Sequence, residues 1–350
     1  MFLTEREIFE QYPALGKTYR YFLKKSDEVR EFFQQQKDKS LTFIGCGSSY
    51  FQCRSAEISA RQRLGIPAHS IAAGDLLINF SQYHNLLKDT VIIAPSRSGA
   101  TSEVVLSVKK AKQEFGCPIV CVCAREDSEL SRIADLSLEI PWAFDRSVCQ
   151  TRSVTNIYAA DLLLIAAIAG DKKLADEIGA AVKAGGKFQR RYKNTLQEIA
   201  RKKSWSQVVV LADSELEGIA SAGALSFKEI SLTPSFYYHL LDVRHGPILL
   251  IDSQTLVIMA CSPTGISYQK DLIYDLKKKS PTIVTVSREA RNIWKSDYHI
   301  SLPVFKNFAV TGIPFIFVPQ AISLYQAIGR GINPDLPRGL SPWIVLKDKK

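Results

Sequence analysis

The sequence Val91-Ile92-Ile93-Ala94-Pro95-Ser96-Arg97-Ser98-Gly99-Ala100-Thr101 carries the clearest structural signal in the chain. It starts as an apolar run typical of a buried strand and ends in a turn that contains hydroxyl side chains and a glycine. The helical pattern Glu103–Phe115 follows directly. A strand, turn and helix in this order bring hydroxyls, backbone N–H groups and the positive end of a helix dipole to one point. The segment therefore predicts a binding site for an anion such as a phosphate group.

A second unit of the same kind lies earlier in the chain. The apolar run Leu41–Ile44 breaks into the turn Gly45-Cys46-Gly47-Ser48-Ser49, and the helical stretch Tyr50–Leu64 follows. Gly45 and Gly47 match the first two glycines of a dinucleotide-binding fingerprint, but the third is missing because Phe51 or Gln52 occupies its place. We therefore expect no such cofactor site. Two Ser/Gly turns at strand ends instead predict a shared pocket, because ligands of parallel sheets bind beyond the carboxyl ends of the strands.

Both units recur in the C-terminal half of the chain. An offset of 166 residues aligns the turns and the strands that precede them, which predicts an internal duplication. The second copy lacks the hydroxyl cluster, since Asp213 replaces Gly47 and Pro263 replaces Arg97. Only the first copy is therefore expected to bind phosphate. The aligned pairs are Ser48 with Ser214, Ser96 with Ser262, and Gly99 with Gly265.

The composition fits a protein with packed cores and an anionic ligand. The 350 residues are enough for two domains, and 46% of them are hydrophobic. The net charge of +10 suits phosphorylated metabolites. The basic clusters Lys187–Lys193 and Arg201–Lys203 lack a recognisable nucleic-acid reading element, so we expect no nucleic-acid partner. The seven cysteines show no C-x-x-C pair, which indicates reduced, buried thiols without a zinc site.

Neither a membrane segment nor a secretion signal is expected. No stretch approaches the roughly 18 apolar residues that span a bilayer, and Met1–Glu7 lacks a basic segment followed by an apolar one. These features predict a soluble, cytoplasmic protein. The apolar helical stretch 155–168 is expected to be buried in a core, with packing against a second subunit as the alternative.

Short β-branched runs alternate with helical patterns along the whole chain, which predicts parallel sheets covered by helices on both faces. The fold class is α/β, with two tandem doubly wound, flavodoxin-like domains of about five strands each. We expect a helical N-terminal segment at residues 1–35, a phosphate-binding domain at 36–170, a helical connector at 171–203 and a second domain at 204–350. The predicted strands are Leu41–Ile44, Ser70–Ala72, Val91–Ala94, Ile119–Cys123, Leu136–Ile140, Gln207–Ala212, Pro234–Tyr238, Leu256–Cys261, Thr282–Val286 and His299–Leu302.

Two further segments add a family resemblance: Gly223-Ala224-Leu225-Ser226-Phe227-Lys228-Glu229-Ile230-Ser231 and Arg244-His245-Gly246-Pro247. Together with the paired turns and the duplication, they make nearly the whole chain resemble the sugar isomerase (SIS) family as two tandem SIS domains. The nearest members are the isomerase half of glucosamine-6-phosphate synthase, the galactosamine-6-phosphate deaminase/isomerases, and the deglycases of fructosamine 6-phosphates.

The resemblance implies site residues. It implies that Glu229 moves a proton between C1 and C2 of the sugar, and that His245 acts on the ring oxygen, often across a subunit interface. The chemistry is consistent, because a base for this step needs burial to raise its pKa and a group that protonates a ring oxygen or amine should titrate near neutrality. Ser153, in Thr151-Arg152-Ser153, is implied as a further substrate contact. The phosphate site maps onto Ser48, Ser49, Ser96, Arg97, Ser98 and Thr101.

The sequence also departs from the synthase members of the family. Ser226 and Pro342 stand where the synthase has lysines, one of which forms a Schiff base with the ketose, and Ala222 replaces a glutamate. A cysteine-led amidotransferase segment is also missing, so we expect no synthase activity. Our first hypothesis is an amino-sugar 6-phosphate deaminase/isomerase.

Three alternatives remain open: a deglycase of fructosamine 6-phosphates, a plain ketose/aldose isomerase, and a non-catalytic sugar-phosphate-binding regulator. The retention of both Glu229 and His245 favours an enzyme over a regulator. We expect no metal and no organic cofactor, because the proposed proton transfers need neither. We also expect a homodimer with its active site near the subunit interface.

Overall fold

The computed structural model describes residues 1–337 and 339–346 of the chain. Within them, two separate parallel sheets of five strands each have the orders β2-β1-β3-β4-β5 and β10-β9-β8-β6-β7. The strands are β1 Ser40–Gly45, β2 Ala68–Ala72, β3 Thr90–Ser96, β4 Ile119–Cys123, β5 Leu136–Glu139, β6 Gln207–Leu211, β7 Ser235–Tyr238, β8 Thr255–Ala260, β9 Thr282–Ser287 and β10 Tyr298–Ser301.

The two sheets repeat one topology, because β6, β7 and β8 take the places that β1, β2 and β3 hold in the first sheet. The central strands are fully buried; in β3 all seven residues are inaccessible. This burial on both faces is why their sequences are continuous apolar runs. The predicted fold class, two doubly wound α/β units, is confirmed, and each of the predicted strands is present to within about two residues, the usual uncertainty of element ends.

Helices cover both faces of the sheets, and one hydrophobic core extends through both halves of the described chain. Its members include side chains of the long helix that follows the first sheet, such as Leu174 and Ile199, so that helix is a packed element. The domain boundaries at 35, 170 and 203 stay predictions. The helices are α1 Leu3–Phe9, α2 Gln11–Gln34, α3 Ser48–Leu64, α4 Ala73–Ile78, α5 His84–Leu87, α6 Ser102–Phe115, α7 Glu129–Ile133, α8 Arg152–Ala169, α9 Lys172–Lys202, α10 Glu217–Ile230, α11 Ile266–Lys277, α12 Gly312–Phe315 and α13 Phe317–Gly329.

The apolar surface of α8 is buried inside its own chain. All residues from Ser153 to Ala167 are inaccessible, so this helix supplies core rather than a subunit interface. The expectation that no segment is apolar enough to span a bilayer was too strict. Two helical stretches, Arg152–Ala169 and Phe308–Gly329, satisfy the length and composition of a span, but 83% and 94% of their residues are buried in the protein. Core helices of soluble proteins satisfy the same criterion, so this is weak evidence for a membrane.

Helix α10 of the second half packs closely along α3 of the first half. The contact depends on Gly218, because a Cβ at this position would lie 1.8 Å from the Phe51 carbonyl oxygen and 2.8 Å from the Ser55 backbone nitrogen. Both obstacles are atoms of the α3 segment that cannot rotate away. Any side chain at residue 218 must therefore move the two helices apart.

We predict that Gly218→Ala destabilises the protein by about 1–3 kcal/mol, the usual cost of forcing extra atoms into a packed contact. The matched control is Gly186→Ala in α9, where a Cβ would meet its nearest atom at 3.6 Å. That variant should gain about 0.5–1 kcal/mol, since alanine favours a helix over glycine. The midpoint of urea unfolding measures both. Equal midpoints for Gly218→Ala and wild type would contradict the close packing of α3 and α10.

Candidate active site

The turn after β3 is shaped by its own hydroxyls and by one glycine. Ser96 Oγ accepts a hydrogen bond from the Gly99 backbone N–H at 2.9 Å, and Ser98 Oγ accepts one from the Ala100 N–H at 3.2 Å. Gly99 has φ +59°, and a Cβ there would lie 2.1 Å from Ser128 Oγ, so only glycine fits. The turn leads into the N-terminus of α6, with the Ser98 and Thr101 hydroxyl oxygens 3.5 Å apart.

The turns after β1 and β3 line a small polar pocket. Helices α3 and α6 both begin beside it, so two positive helix ends point at this region. Ser48, the remaining predicted phosphate contact, lies buried at the start of α3 and is outside the pocket lining. Phosphate binding by these side chains stays a prediction. The pocket-lining residues are Cys46, Ser49, Pro95, Ser96, Arg97, Ser98, Thr101, Val104, Gln150 and Pro342.

Arg97 directs its guanidinium at the wall of this pocket. Its side chain is 3% exposed, and Nη1 donates to the carbonyl oxygens of Ser147 at 3.1 Å and Val148 at 2.8 Å. Nη2 donates to the carbonyl oxygen of Pro342 in the C-terminal tail. Burial lowers the pKa of Arg97, and the negative charges of Asp145 and Glu229 partly offset this effect. Contact between Arg97 and a phosphate stays a prediction.

Asp145, which the sequence analysis did not single out, organises the other wall. Its carboxylate accepts backbone N–H groups from Thr151 at 3.0 Å, Arg152 at 2.9 Å and Ser153 at 3.0 Å, and so caps the start of α8. The buried Ser153 hydroxyl donates to Asp145 and lies 3.2 Å from Gln150 Oε1. The structure thus places Ser153 behind the pocket, with its hydroxyl hydrogen-bonded inside the protein. Its role as a substrate contact stays a prediction.

Glu229 lies near the end of α10, a helix that runs antiparallel to α3. The segment before α10 meets the end of α3, where Ser214 Oγ lies 3.3 Å from Gln62 and Glu215 Oε1 lies 2.8 Å from Ser59. Gly218, the second residue of α10, already lies beside Phe51 near the start of α3. The rest of α10 therefore extends past the beginning of α3, on the side of the two Ser/Gly turns. Its end is near the pocket wall, because the charge of Glu229 influences the pKa of Arg97 and Ile230 shares a buried cluster with Cys149.

The electrostatic setting of Glu229 differs from that of an ordinary surface carboxylate. Burial raises its pKa to about 7, while the positive charge of Arg97 opposes the rise. No described residue hydrogen-bonds its carboxylate, so it is free to contact a ligand. A pKa near neutrality suits a group that both takes and returns a proton. The catalytic role of Glu229 stays a prediction.

His245 lies elsewhere on the same chain. It is exposed, its backbone N–H donates to the Asp242 carbonyl oxygen at 2.9 Å, and its ring makes no hydrogen bond within the described residues. The loop that carries it follows β7 at the carboxyl end of the second sheet, whereas Glu229 lies at the far end of α10. That helix of 14 residues is about 20 Å long. Within one chain, the structure therefore does not bring the two predicted catalytic residues together.

The corresponding turn of the second copy is filled by a side chain. Gln269 Oε1 accepts the Ser262 backbone N–H at 3.0 Å, and Gln269 Nε2 donates to the carbonyls of Ser262 at 3.1 Å and Thr264 at 2.6 Å. The backbone N–H that would face an anion is thus already paired. That only the first copy binds phosphate stays a prediction. Within the described residues, no group of three or more His, Cys, Asp or Glu is placed to hold a metal ion.

Ser226 and Pro342, at the two positions where the sequence analysis noted missing lysines, both make hydrogen bonds within the protein. Ser226 is buried and donates to the Gly223 carbonyl at 2.7 Å, with Ser323 of α13 at 3.4 Å. Pro342 offers the pocket a backbone carbonyl, which is bound to Arg97. Neither residue supplies an amine. All seven cysteines lie in the described chain as free thiols, six of them buried.

Comparison with known proteins finds similarity to sugar-phosphate enzymes. The SIS domain family matches residues 35–167. D-galactosamine-6-phosphate deaminase of Escherichia coli is 26% identical over 77% of this chain and 73% of its own length. Glutamine–fructose-6-phosphate aminotransferase (isomerizing) of Wigglesworthia glossinidia brevipalpis is 23% identical over 98% of this chain, which spans only 58% of that relative.

Two solved structures show the same fold over nearly the whole chain. Tagatose-6-phosphate ketose/aldose isomerase of Escherichia coli aligns with a TM-score of 0.87 at 22% identity, covering 98% of this chain and 97% of that one. Glucosamine-6-phosphate deaminase of Thermotoga maritima aligns with a TM-score of 0.83 at 25% identity, covering 98% and 100%. The tandem arrangement of two sheets is therefore an established architecture.

We predict that Ser98→Ala weakens binding of glucosamine 6-phosphate about ten- to a hundredfold, because a hydrogen bond to a charged group is lost. The control is Ser262→Ala in the corresponding turn of the second copy, where Ser262 aligns with Ser96, and this variant should bind as wild type does. Isothermal titration calorimetry measures both, with unphosphorylated glucosamine as the ligand control. Equal losses in the two variants would show that the first turn has no special role.

Proposed function

This chain carries an SIS domain at residues 35–167 and is related to phosphosugar isomerases and amino-sugar-phosphate deaminases; we propose that it is an amino-sugar 6-phosphate deaminase/isomerase. One observation carries the proposal. The charge of Glu229, a carboxylate of the second half whose pKa burial raises to about 7, interacts with the charge of Arg97, which lines the hydroxyl-bearing pocket of the first half. A phosphate anchor next to a base that titrates near neutrality is what proton transfer on a sugar phosphate requires.

In the proposed reaction, the pocket holds the 6-phosphate through hydroxyls and helix N-termini, and this fixes the position of the sugar carbons. The Glu229 carboxylate removes the proton from C2 of the 2-amino aldose and returns it to C1, which leaves an imine at C2. Water adds to this carbon, ammonia leaves, and the ketose 6-phosphate forms. Arg97 supports the exchange electrostatically, because its positive charge favours the ionised form of Glu229.

The residues at the two positions where the synthases have lysine favour a reaction that releases the substrate's own nitrogen. Ser226 and the backbone of Pro342 provide no amine for a Schiff base. A mechanism that holds the ketose covalently is therefore unsupported in this chain. Deamination needs only a base at C1 and C2 and an acid for the leaving amine.

We further propose that the acid, His245, reaches the site from a second copy of the chain. It is exposed and separated from its own Glu229 by the length of α10. The surface around it is apolar, with Leu249 and Leu250 exposed by 75% and 66% and Leu241 by 40%. Exposed apolar surface of this kind marks an interaction site. A symmetric dimer through this surface would complete two sites, each with residues of both subunits.

Glu229→Gln should reduce the rate of ammonia release from galactosamine or glucosamine 6-phosphate by at least about a thousandfold. The substitution removes the base but keeps the size and shape of the side chain. Binding of the sugar phosphate, measured by calorimetry, should persist. In the wild type, kcat/KM should fall about tenfold per pH unit below pH 7, because protonation of Glu229 removes the base.

The control variant is Glu114→Gln, an exposed carboxylate at the end of α6, which should leave activity unchanged. A coupled ammonia assay over both amino-hexose 6-phosphates, with amino-acid detection on fructosamine 6-phosphates, identifies the substrate class. Turnover by Glu229→Gln at the wild-type rate would overturn the proposed mechanism. Release of an amino acid without ammonia would replace the deaminase by a deglycase.

Complementation tests the shared site. Glu229→Gln and His245→Asn should each be inactive alone, whereas co-expressed chains should recover about a quarter of wild-type activity, because half the dimers are mixed and each has one intact site. Light scattering establishes the oligomeric state of each sample. Mixed dimers without any recovery would show that His245 serves the site of its own chain or no site at all.

A further inference from the structure

The C-terminal tail touches the phosphate pocket at three points. Pro342 lines the pocket and its carbonyl oxygen accepts the Nη2 donor of Arg97. Beyond it, the Ile344 carbonyl oxygen accepts the Ser102 backbone N–H at 3.1 Å. The Leu346 backbone N–H donates to Ser102 Oγ at 3.0 Å. Each contact uses a backbone atom of the tail, and Ser102 is the first residue of α6, directly beside the pocket.

Packing holds the last described residues of the tail only weakly. The side chains of Ile344, Val345 and Leu346 are 46%, 69% and 42% exposed, whereas Trp343 before them is half-buried. Segments held mainly by exposed backbone hydrogen bonds open most easily. The charged donor of Arg97 is then the strongest single attachment that the described tail has, because hydrogen bonds from charged groups contribute about twice as much as neutral ones.

The guanidinium of Arg97 joins two separate segments of the protein. Nη1 donates to the Ser147 and Val148 carbonyls and Nη2 donates to the tail, while the buried Nε has no hydrogen-bond partner among the described residues. The 147–148 segment is also fixed from behind, since Glu7 of α1 accepts hydrogen bonds from the Arg146 N–H at 2.6 Å and from the Ser147 hydroxyl. Three of the five N–H donors of Arg97 are thus used to hold the main chain around the pocket.

We propose that Arg97 is a positioning residue that joins the 147–148 wall and the C-terminal tail around the pocket. This inference rests on the proposed function for its kinetic consequence alone. The hydrogen-bond arrangement predicts that loss of Arg97's contacts includes the effect of losing the tail.

Arg97→Lys tests the proposal while it keeps the positive charge among the surrounding carboxylates. A lysine forms at most one of the three carbonyl contacts, so the tail should detach. Hydrogen exchange at the Leu346 amide should accelerate about ten- to a hundredfold, which corresponds to the loss of a charged hydrogen bond. Arg125→Lys, an exposed arginine in the same half, is the control and should exchange as wild type does.

A double-mutant cycle separates the two roles. Arg97→Lys and deletion of residues 342–350 should each raise the KM for the sugar phosphate, and the combined variant should show no further rise over Arg97→Lys alone. Additive effects, or wild-type protection of Leu346 in Arg97→Lys, would overturn the proposal and make Arg97 a direct phosphate ligand.

Ser102→Pro provides a route that leaves Arg97 intact. Proline fits the first turn of α6, and it removes both Ser102 contacts with the tail. It should also accelerate exchange in the tail, and unchanged exchange would contradict attachment at α6. If the chain has no turnover with any amino-sugar phosphate, hydrogen exchange and calorimetry with inorganic phosphate still decide the role of Arg97, so the two proposals fail separately.

Discussion

The site depends on the antiparallel contact between α3 and α10. Each half of the chain builds its own sheet, and neither half holds both the hydroxyl-lined pocket and Glu229. The contact at Gly218, supported by the hydrogen bond that Ser59 donates to Glu215, sets how far α10 advances along α3. The end of α10, and with it Glu229, is thereby brought close enough to Arg97 of the other half for their charges to interact. The position of Glu229 thus follows from packing between two helices at a point that contains none of the predicted site residues.

The fold was largely accessible from the sequence, because buried parallel strands have an unambiguous composition. Runs such as Val91–Ala94 and Ile119–Cys123 have no polar residue to move them to a surface, and the Ser/Gly turns mark where they end. The duplication was visible for the same reason. What could not be read was the distance between elements, so the separation of His245 from Glu229 emerged only from the direction of α10 and β7.

Residues that act through hydrogen bonds to the backbone were also missed. Asp145 binds three N–H groups six to eight positions ahead, and a lone aspartate in a loop gives no such signal beforehand. Arg97 was singled out from its position in the turn. Its charge did not show, however, that its guanidinium donates hydrogen bonds to carbonyl oxygens of two segments distant in sequence. The sequence likewise did not reveal the role of Gln269 in the second copy. Its side-chain amide fills a turn that otherwise has the same preceding strand and the same glycine as the first copy. The two halves thus diverged through side chains that bind the main chain.

The tail shows what this kind of contact means for the history of the sequence. It meets the pocket through the carbonyls of Pro342 and Ile344 and the amide of Leu346, while its side chains face outward. Substitutions along such a segment leave every contact in place, so selection acts on its length and backbone conformation and hardly on residue identity. Two related chains can therefore keep the same tail contacts without any identical residue in the tail. A sequence alignment would then show no conservation in a segment whose position is unchanged.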